Sequence, residues 1–162
     1  MYGALYGRVY AYAARRVGRD AADEIADETF LVAWRRFEDV PPEPLPWLYG
    51  VARHVVQRYR ARFAREAAAE DALSRERPIS AEPPEGSGEV LWDAWQDLRE
   101  ADREVLALIA WEELPVAEAA RALGCSAPVF SVRLHRARRR LERLLAQRAE
   151  SSRPVSTLSE AS

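Results

Sequence analysis

The chain has 162 residues, 48% hydrophobic and 31% charged, which fits one ordinary soluble domain or two small ones. No apolar run approaches the roughly 18 residues a bilayer span needs, and no basic-then-apolar signal opens the chain, so no membrane insertion and a cytoplasmic location are expected. A single Cys, Cys125, excludes an internal disulfide and a multi-Cys zinc site; His54 and His135 lie far apart in sequence, so no metal or other cofactor is expected.

The formal net charge of −2 conceals an uneven distribution. Residues 1–65 carry 11 Arg against 8 acids, a net of +3, and residues 66–98 carry 2 Arg against 9 acids, a net of −7. Residues 99–120 are again acidic at −4, whereas residues 121–148 reach +7. Every basic residue is Arg and no Asn occurs, a bias that GC-rich coding explains. A block of +7 within 28 residues suits a polyanion, most commonly nucleic acid, although a solvated Arg-rich helix has the same composition.

The elements read in chain order are all helical. Leu5, Val9, Tyr12, Ala13 and Val17 recur on a helical period over residues 4–17, and Gly18 follows as a stop signal. Asp20 is placed to cap a second helix, whose apolar stripe is Ala22, Ile25, Ala26, Phe30, Ala33, Trp34 and Phe37. The Pro-rich stretch 40–46 cannot be helical, because each Pro restricts its predecessor. Pro46 then opens a third helix to about Arg65, with Leu48, Val51, Ala52, Val55, Tyr59 and Phe63 on its apolar face. Periodicity is lost over 66–88, among acids, Pro78, Pro83, Pro84, Gly86 and Gly88, as in a flexible linker. Helical pattern resumes near Glu89 and continues through Val105–Ile109, Val116–Leu123 and Ala127 to about Arg148. The Ser-rich tail, 149–162, reads as disordered. The expected fold is all-α: two small helical domains, 1–65 and 89–148, joined by the acidic linker 66–88.

The last two helices carry the most information. Gly124 can take the left-handed conformation that ends the first, and Ser126 can cap the second, where Pro128 is tolerated in the first turn. Phe130, Leu134, Ala137, Leu141 and Leu144 form a buried stripe, and the other faces are crowded with Arg. This is a helix-turn-helix able to lay its second helix in a major groove. An ordinary helical hairpin with a charged surface is the plainer alternative. Cys125, in the turn, reads as a packed small residue.

Residues 98–140, LREADREVLALIAWEELPVAEAARALGCSAPVFSVRLHRARRR, closely resemble sigma region four of bacterial extracytoplasmic-function sigma factors. REVL at 103–106, AEAARALGCS at 117–126 and RLHRAR at 133–138 carry the match. Independently, DEIADETFLVAWRRF at 23–37 resembles the core-binding helix of sigma region two, and PWLYGVARHVVQRYRAR at 46–62 the promoter-opening helix after it. The resemblance implies a subunit that binds RNA polymerase core enzyme, through the β′ clamp and the β subunit, and directs promoter-specific transcription initiation. It implies no catalytic residues, promoter DNA as a partner, and an anti-sigma factor as a further partner common in the family.

By this resemblance, Asp23, Asp27, Glu28, Thr29 and Arg35 contact core polymerase, while Phe30 and Trp34 are read as core. Trp47, Arg53, His54, Gln57 and Arg58 serve the −10 element; interleaved aromatics and Arg suit single strands, where bases stack on rings and Arg follows phosphates. Ser131, Val132, His135 and Arg136 face bases of the −35 element, with Arg133 and Arg139 on phosphates. Relatives often have Asn where His54 stands, Lys or Arg for Ser131, Ser for Val132 and Pro for Arg99. Losing a long donor at 131 removes one bidentate base contact, worth roughly 1–3 kcal/mol of discrimination. The acidic linker suits a path near the RNA exit channel, and equally a self-repelling tether. Met1 lies close to where the first sigma helix would begin, which leaves the completeness of the N-terminus open. Two rivals remain at this point: a stand-alone regulator using 98–148, and an interaction protein that has lost promoter recognition.

Overall fold

The computed structural model describes residues 2–69, 86 and 88–153. Seven α-helices are seen among them: α1 Tyr2–Val17, α2 Arg19–Arg35, α3 Leu45–Ala69, α4 Glu89–Asp97, α5 Glu100–Ala110, α6 Val116–Leu123 and α7 Ala127–Ser151. No strand occurs among the described residues. The first four residues of the expected linker, 66–69, continue α3; its residues 70–85 and 87, and tail residues 154–162, lie outside the described residues.

In the first half, α1, α2 and α3 pack on one another through Val9, Ala13, Ala22, Ile25, Ala26, Leu48, Ala52 and Val55, all at most 1–2% exposed. Gly18, at φ 85°, breaks α1 from α2. It also occupies the cap position expected for Asp20, which instead sits in the first turn of α2, where an acid complements the helix dipole. A 3₁₀ turn, Phe37–Asp39, leads into the extended Pro-rich stretch before α3.

The second half stacks α4, α5 and α6 on α7, with Phe130 and Ala137 fully buried. Gly124 adopts φ 66°, ψ 32°, and ends α6 by donating to the carbonyls of Ala120 and Arg121. The Ser126 hydroxyl accepts from the Val129 amide at 3.4 Å, with Pro in the first turn of α7. Both local expectations for the helix-turn-helix hold. Trp95 and Trp111 lie ring to ring at 4.4 Å.

The two halves do not stand apart. One continuous core runs through both, and α3 packs against α6. Gly50 lets the backbones approach closely: a Cβ there would sit 3.0 Å from the Ala122 carbonyl oxygen. Phe30 is half-buried against Tyr2 and Tyr6, whereas Trp34 is 79% exposed and Phe37 74%. The expectation of Trp34 as core is therefore corrected: α1 and α3 cover only the N-terminal two-thirds of the α2 stripe.

Candidate polymerase and nucleic-acid interfaces

Three surfaces gather the residues singled out from the sequence. The first is the outer face of α2. Asp23 and Asp27 are exposed beside Tyr6, whose hydroxyl donates to Asp27 at 2.7 Å and lies 3.5 Å from Asp23. Glu28 accepts from Arg58 at 2.7 Å, and Glu24 from Arg62 at 2.8 Å, so acids of α2 hold the outer arginines of α3. The Arg58 side chain is 65% exposed, and such a pair contributes about 0–1 kcal/mol, so it yields readily to a stronger partner. Arg35 is exposed. Thr29 is a correction: it is fully buried, one turn on from Ile25 along the apolar stripe, and its hydroxyl donates to the Ile25 carbonyl at 2.7 Å. It cannot meet a partner from there. Leu31 and Trp34, three apart near the end of α2, and Phe37, in the 3₁₀ turn that follows, are instead the large apolar side chains left exposed beyond the acids.

The second surface is α3 and its approach. Trp47 is half-buried with the Arg36 guanidinium 5.9 Å from its ring centre, His54 and Gln57 are exposed, and Arg53 is half-buried. The third is α7. Leu134 and Ala137 point inward with Phe130, which leaves Ser131, Val132, His135, Arg136 and Arg139 on one exposed arc. Arg133 lies at its far edge, exposed. Arg140, next to it on the helix, is tied to Asp102 of α5 at 2.6 Å.

The second and third surfaces meet. Arg53, Gln57 and Arg60 of α3 and Arg133, Arg136 and Arg140 of α7 line the two walls of one cleft of about 890 Å³. Glu100, which pairs with Arg60 at 2.6 Å, Asp102 and Glu104 lie at its base. His54, Arg58, Ser131, Val132, His135 and Arg139 face outside this cleft.

A cluster that sequence reasoning missed fastens the halves together. Arg15 and Arg16 of α1 reach the Glu112 carboxylate at 2.8 and 3.0 Å, and Arg8 donates to the Glu112 carbonyl at 3.1 Å. Glu104 accepts from Arg16 at 2.8 Å and from the Tyr12 hydroxyl at 2.7 Å. The Glu112 side chain is fully buried and that of Arg16 is 6% exposed. These partners are about 90 residues apart, beyond any periodic signal in the sequence.

Burial pushes the Glu104 carboxyl up, but the Arg16 charge, with hydrogen bonds from Arg16 and Tyr12, outweighs it and holds the group below the usual carboxylate range. Burial opposes the Arg16 charge as well, and Glu104 and Glu112 more than offset it. A carboxylate with a depressed folded value contributes stability above its unfolded value, about 4.3, and loses it as pH falls through the folded value. Thermal melts should therefore be flat from neutral down to about pH 5 and fall steeply below about pH 4. Glu104→Gln should flatten that acid limb; an unchanged limb would mean that other carboxylates cause it.

One all-helical chain thus carries an acidic and apolar helix face and a capped, Arg-faced helix-turn-helix of the kind that can enter a major groove. Residues 1–72 match the family model for Sigma-70 region 2, and residues 89–141 that for Sigma-70 region 4. RNA polymerase sigma factor NccH of Alcaligenes xylosoxydans xylosoxydans is 30% identical over 156 residues, covering 86% of this chain and 82% of that protein. Among solved structures, RpoE of Bartonella quintana, in complex with the anti-sigma factor NepR, aligns at TM-score 0.67 and 21% identity over 88% of this chain and 92% of its own. CnrH, in complex with the cytosolic domain of CnrY, aligns at TM-score 0.56 and 21% identity over 90% of this chain and 83% of its own. The chain belongs to the extracytoplasmic-function sigma factors, which bind core RNA polymerase and direct promoter-specific initiation. No helix among the described residues is long and apolar enough to cross a membrane.

Proposed function

We propose that the two halves divide the work of initiation as follows. Residues 1–65 bind core polymerase and open the −10 element, residues 89–148 read the −35 element, and residues 66–88 connect them. On α2, Asp23, Asp27, Glu28 and Arg35 meet the β′ clamp around the apolar side chains of Leu31, Trp34 and Phe37. Those exposed side chains are the observation that carries the reading, because three large apolar groups left in solvent along the end of α2 and the 3₁₀ turn after it call for a partner surface. On α3, Trp47, Arg53, His54, Gln57 and Arg58 receive the melted −10 strand. On α7, Ser131, Val132, His135 and Arg136 face bases, while Arg133 and Arg139 hold phosphates. The protein works in the cytoplasm and does no chemistry itself; the polymerase makes the bonds. A fold that in RpoE receives the anti-sigma factor NepR supports an anti-sigma partner here too.

Run-off transcription with purified core polymerase and genomic fragments tests the reading. New, discrete starts sharing two spaced upstream motifs support it. Binding to core without new starts would leave an interaction protein that has lost promoter recognition. On the promoters so found, Arg136→Ala is expected to relax one base preference by roughly 1–3 kcal/mol, whereas Arg139→Ala should weaken all sequences about equally. Competition assays on single-base promoter variants separate the two; equal losses from both would displace the base-reading face.

A further inference from the structure

We propose that the cleft between α3 and α7 binds a compact polyphosphate, a run of linked phosphates that is either inorganic or carried by a nucleotide. The inference goes beyond the reading above and involves neither polymerase nor promoter.

The cleft is walled by two rails of arginine. Arg53 and Arg60 stand seven residues apart on α3, and Arg133 and Arg140 seven apart on α7 with Arg136 between them. That spacing keeps each set on one helix face and spreads it over two turns, about 10 Å. Arg99, at the start of α5, adds a sixth guanidinium. The acids at the base are already engaged: Glu100 with Arg60 at 2.6 Å, Asp102 with Arg140 at 2.6 Å, and Glu104 with Arg16 of α1 at 2.8 Å. The guanidiniums of Arg53, Arg99, Arg133 and Arg136 are left with no hydrogen bond or ion pair among the described residues.

Like charges gathered on one concave surface repel one another, and its low-dielectric walls focus their field on whatever enters. A polyanion relieves that repulsion. The guanidinium fork matches phosphate oxygens two at a time. Rails two turns long on facing walls suit a chain of phosphates better than a single one, which cannot span them. Linked phosphates also present adjacent oxygens on one short chain, whereas the carboxylates of an acidic peptide stand on separately moving side chains that must each be ordered. Arg60, held by Glu100 and by the Arg16 carbonyl, and Arg140, held by Asp102, are fixed before any ligand arrives. The cleft volume, about 890 Å³, lies within the range of about 300–1,000 Å³ that accommodates small ligands.

Calorimetric titration and thermal melts of the full chain test this, at fixed ionic strength and without DNA. Tripolyphosphate and ATP are the probes, and a short polyglutamate peptide is the control. One probe molecule should bind per chain and raise the melting temperature, because a ligand of the folded state stabilises it. Binding of both probes assigns recognition to the phosphate chain alone; ATP alone points to a nucleotide source, and tripolyphosphate alone to an inorganic one. Binding of neither would overturn the site, and equal binding of polyglutamate would overturn its choice of phosphate. Arg53→Gln on one wall and Arg133→Gln on the other should each weaken binding about tenfold. Arg139→Gln, outside the cleft on the same helix as Arg133, should change it by less than about twofold, since exposed charges at a distance are screened. Each variant removes a cation without an ion-pair partner among the described residues, so circular dichroism should show the wild-type fold. Equal losses from all three would reduce the site to diffuse attraction and overturn it. No promoter enters these measurements, so their failure would leave the DNA reading standing.

Discussion

Phe130→Ala is expected to produce the largest loss of stability of any single substitution in the second half. The ring is fully buried where α7 meets the helices of its own half, and Ser126 and Gly124 fix the helix start that delivers it there. Truncating a buried Phe removes its transfer free energy and leaves a cavity, together about 3–5 kcal/mol. Because one core runs through both halves, the melting temperature of the whole chain should fall by roughly 6–20 °C. Circular dichroism melts at 222 nm check this; a shift below about 3 °C would mean that the site collapses around the missing ring.

Trp34→Ala is expected to do the opposite: to leave stability untouched and disable the interface. The side chain is 79% exposed, so its loss opens no cavity in the free protein. Flanked by Leu31 and Phe37, with Asp27 and Glu28 about two turns earlier, it is placed as the aromatic centre of a contact with a charged rim. Such a centre typically contributes 2 kcal/mol or more, about a 30-fold loss of affinity. Titration of labelled protein with core polymerase should show this loss, with an unchanged melting temperature as control. Unchanged affinity would move the clamp contact off these side chains, and Asp27→Asn, with a smaller expected effect, would then locate it among the acids.

Local chemistry was legible in the sequence. Gly18 and Gly124 end helices where a left-handed residue is needed, Ser126 caps α7, and the Pro-rich stretch interrupts the chain where it must. These signals act over a few residues, so they survive without knowledge of the fold. Trp34 was misread because a helical stripe records which side chains avoid water, and a partner satisfies that demand as well as a core does. Thr29 was misread for the converse reason: a hydroxyl that bonds to its own helix can be buried at little cost. Asp20 lost the cap position because the chain turns at Gly18, which leaves Asp20 inside the first turn. The seam was invisible because Arg16 and Glu112 have no local relation; only packing of one half on the other brings them together. Two small domains on a tether were expected, and a core shared between them is found.

The tryptophan pair gives this seam a built-in optical gauge. Trp111 directly precedes Glu112, and Trp95 and Trp111 line a small pocket with Arg15 and Arg16. Parting the halves would withdraw those guanidiniums and admit water beside the coupled indoles. Their emission would shift to the red, while the far-ultraviolet exciton couplet of the tilted pair, which belongs wholly to the second half, would persist. With Trp34, Trp47 and Trp92 replaced by Phe, the chain alone can thus report whether its halves have parted.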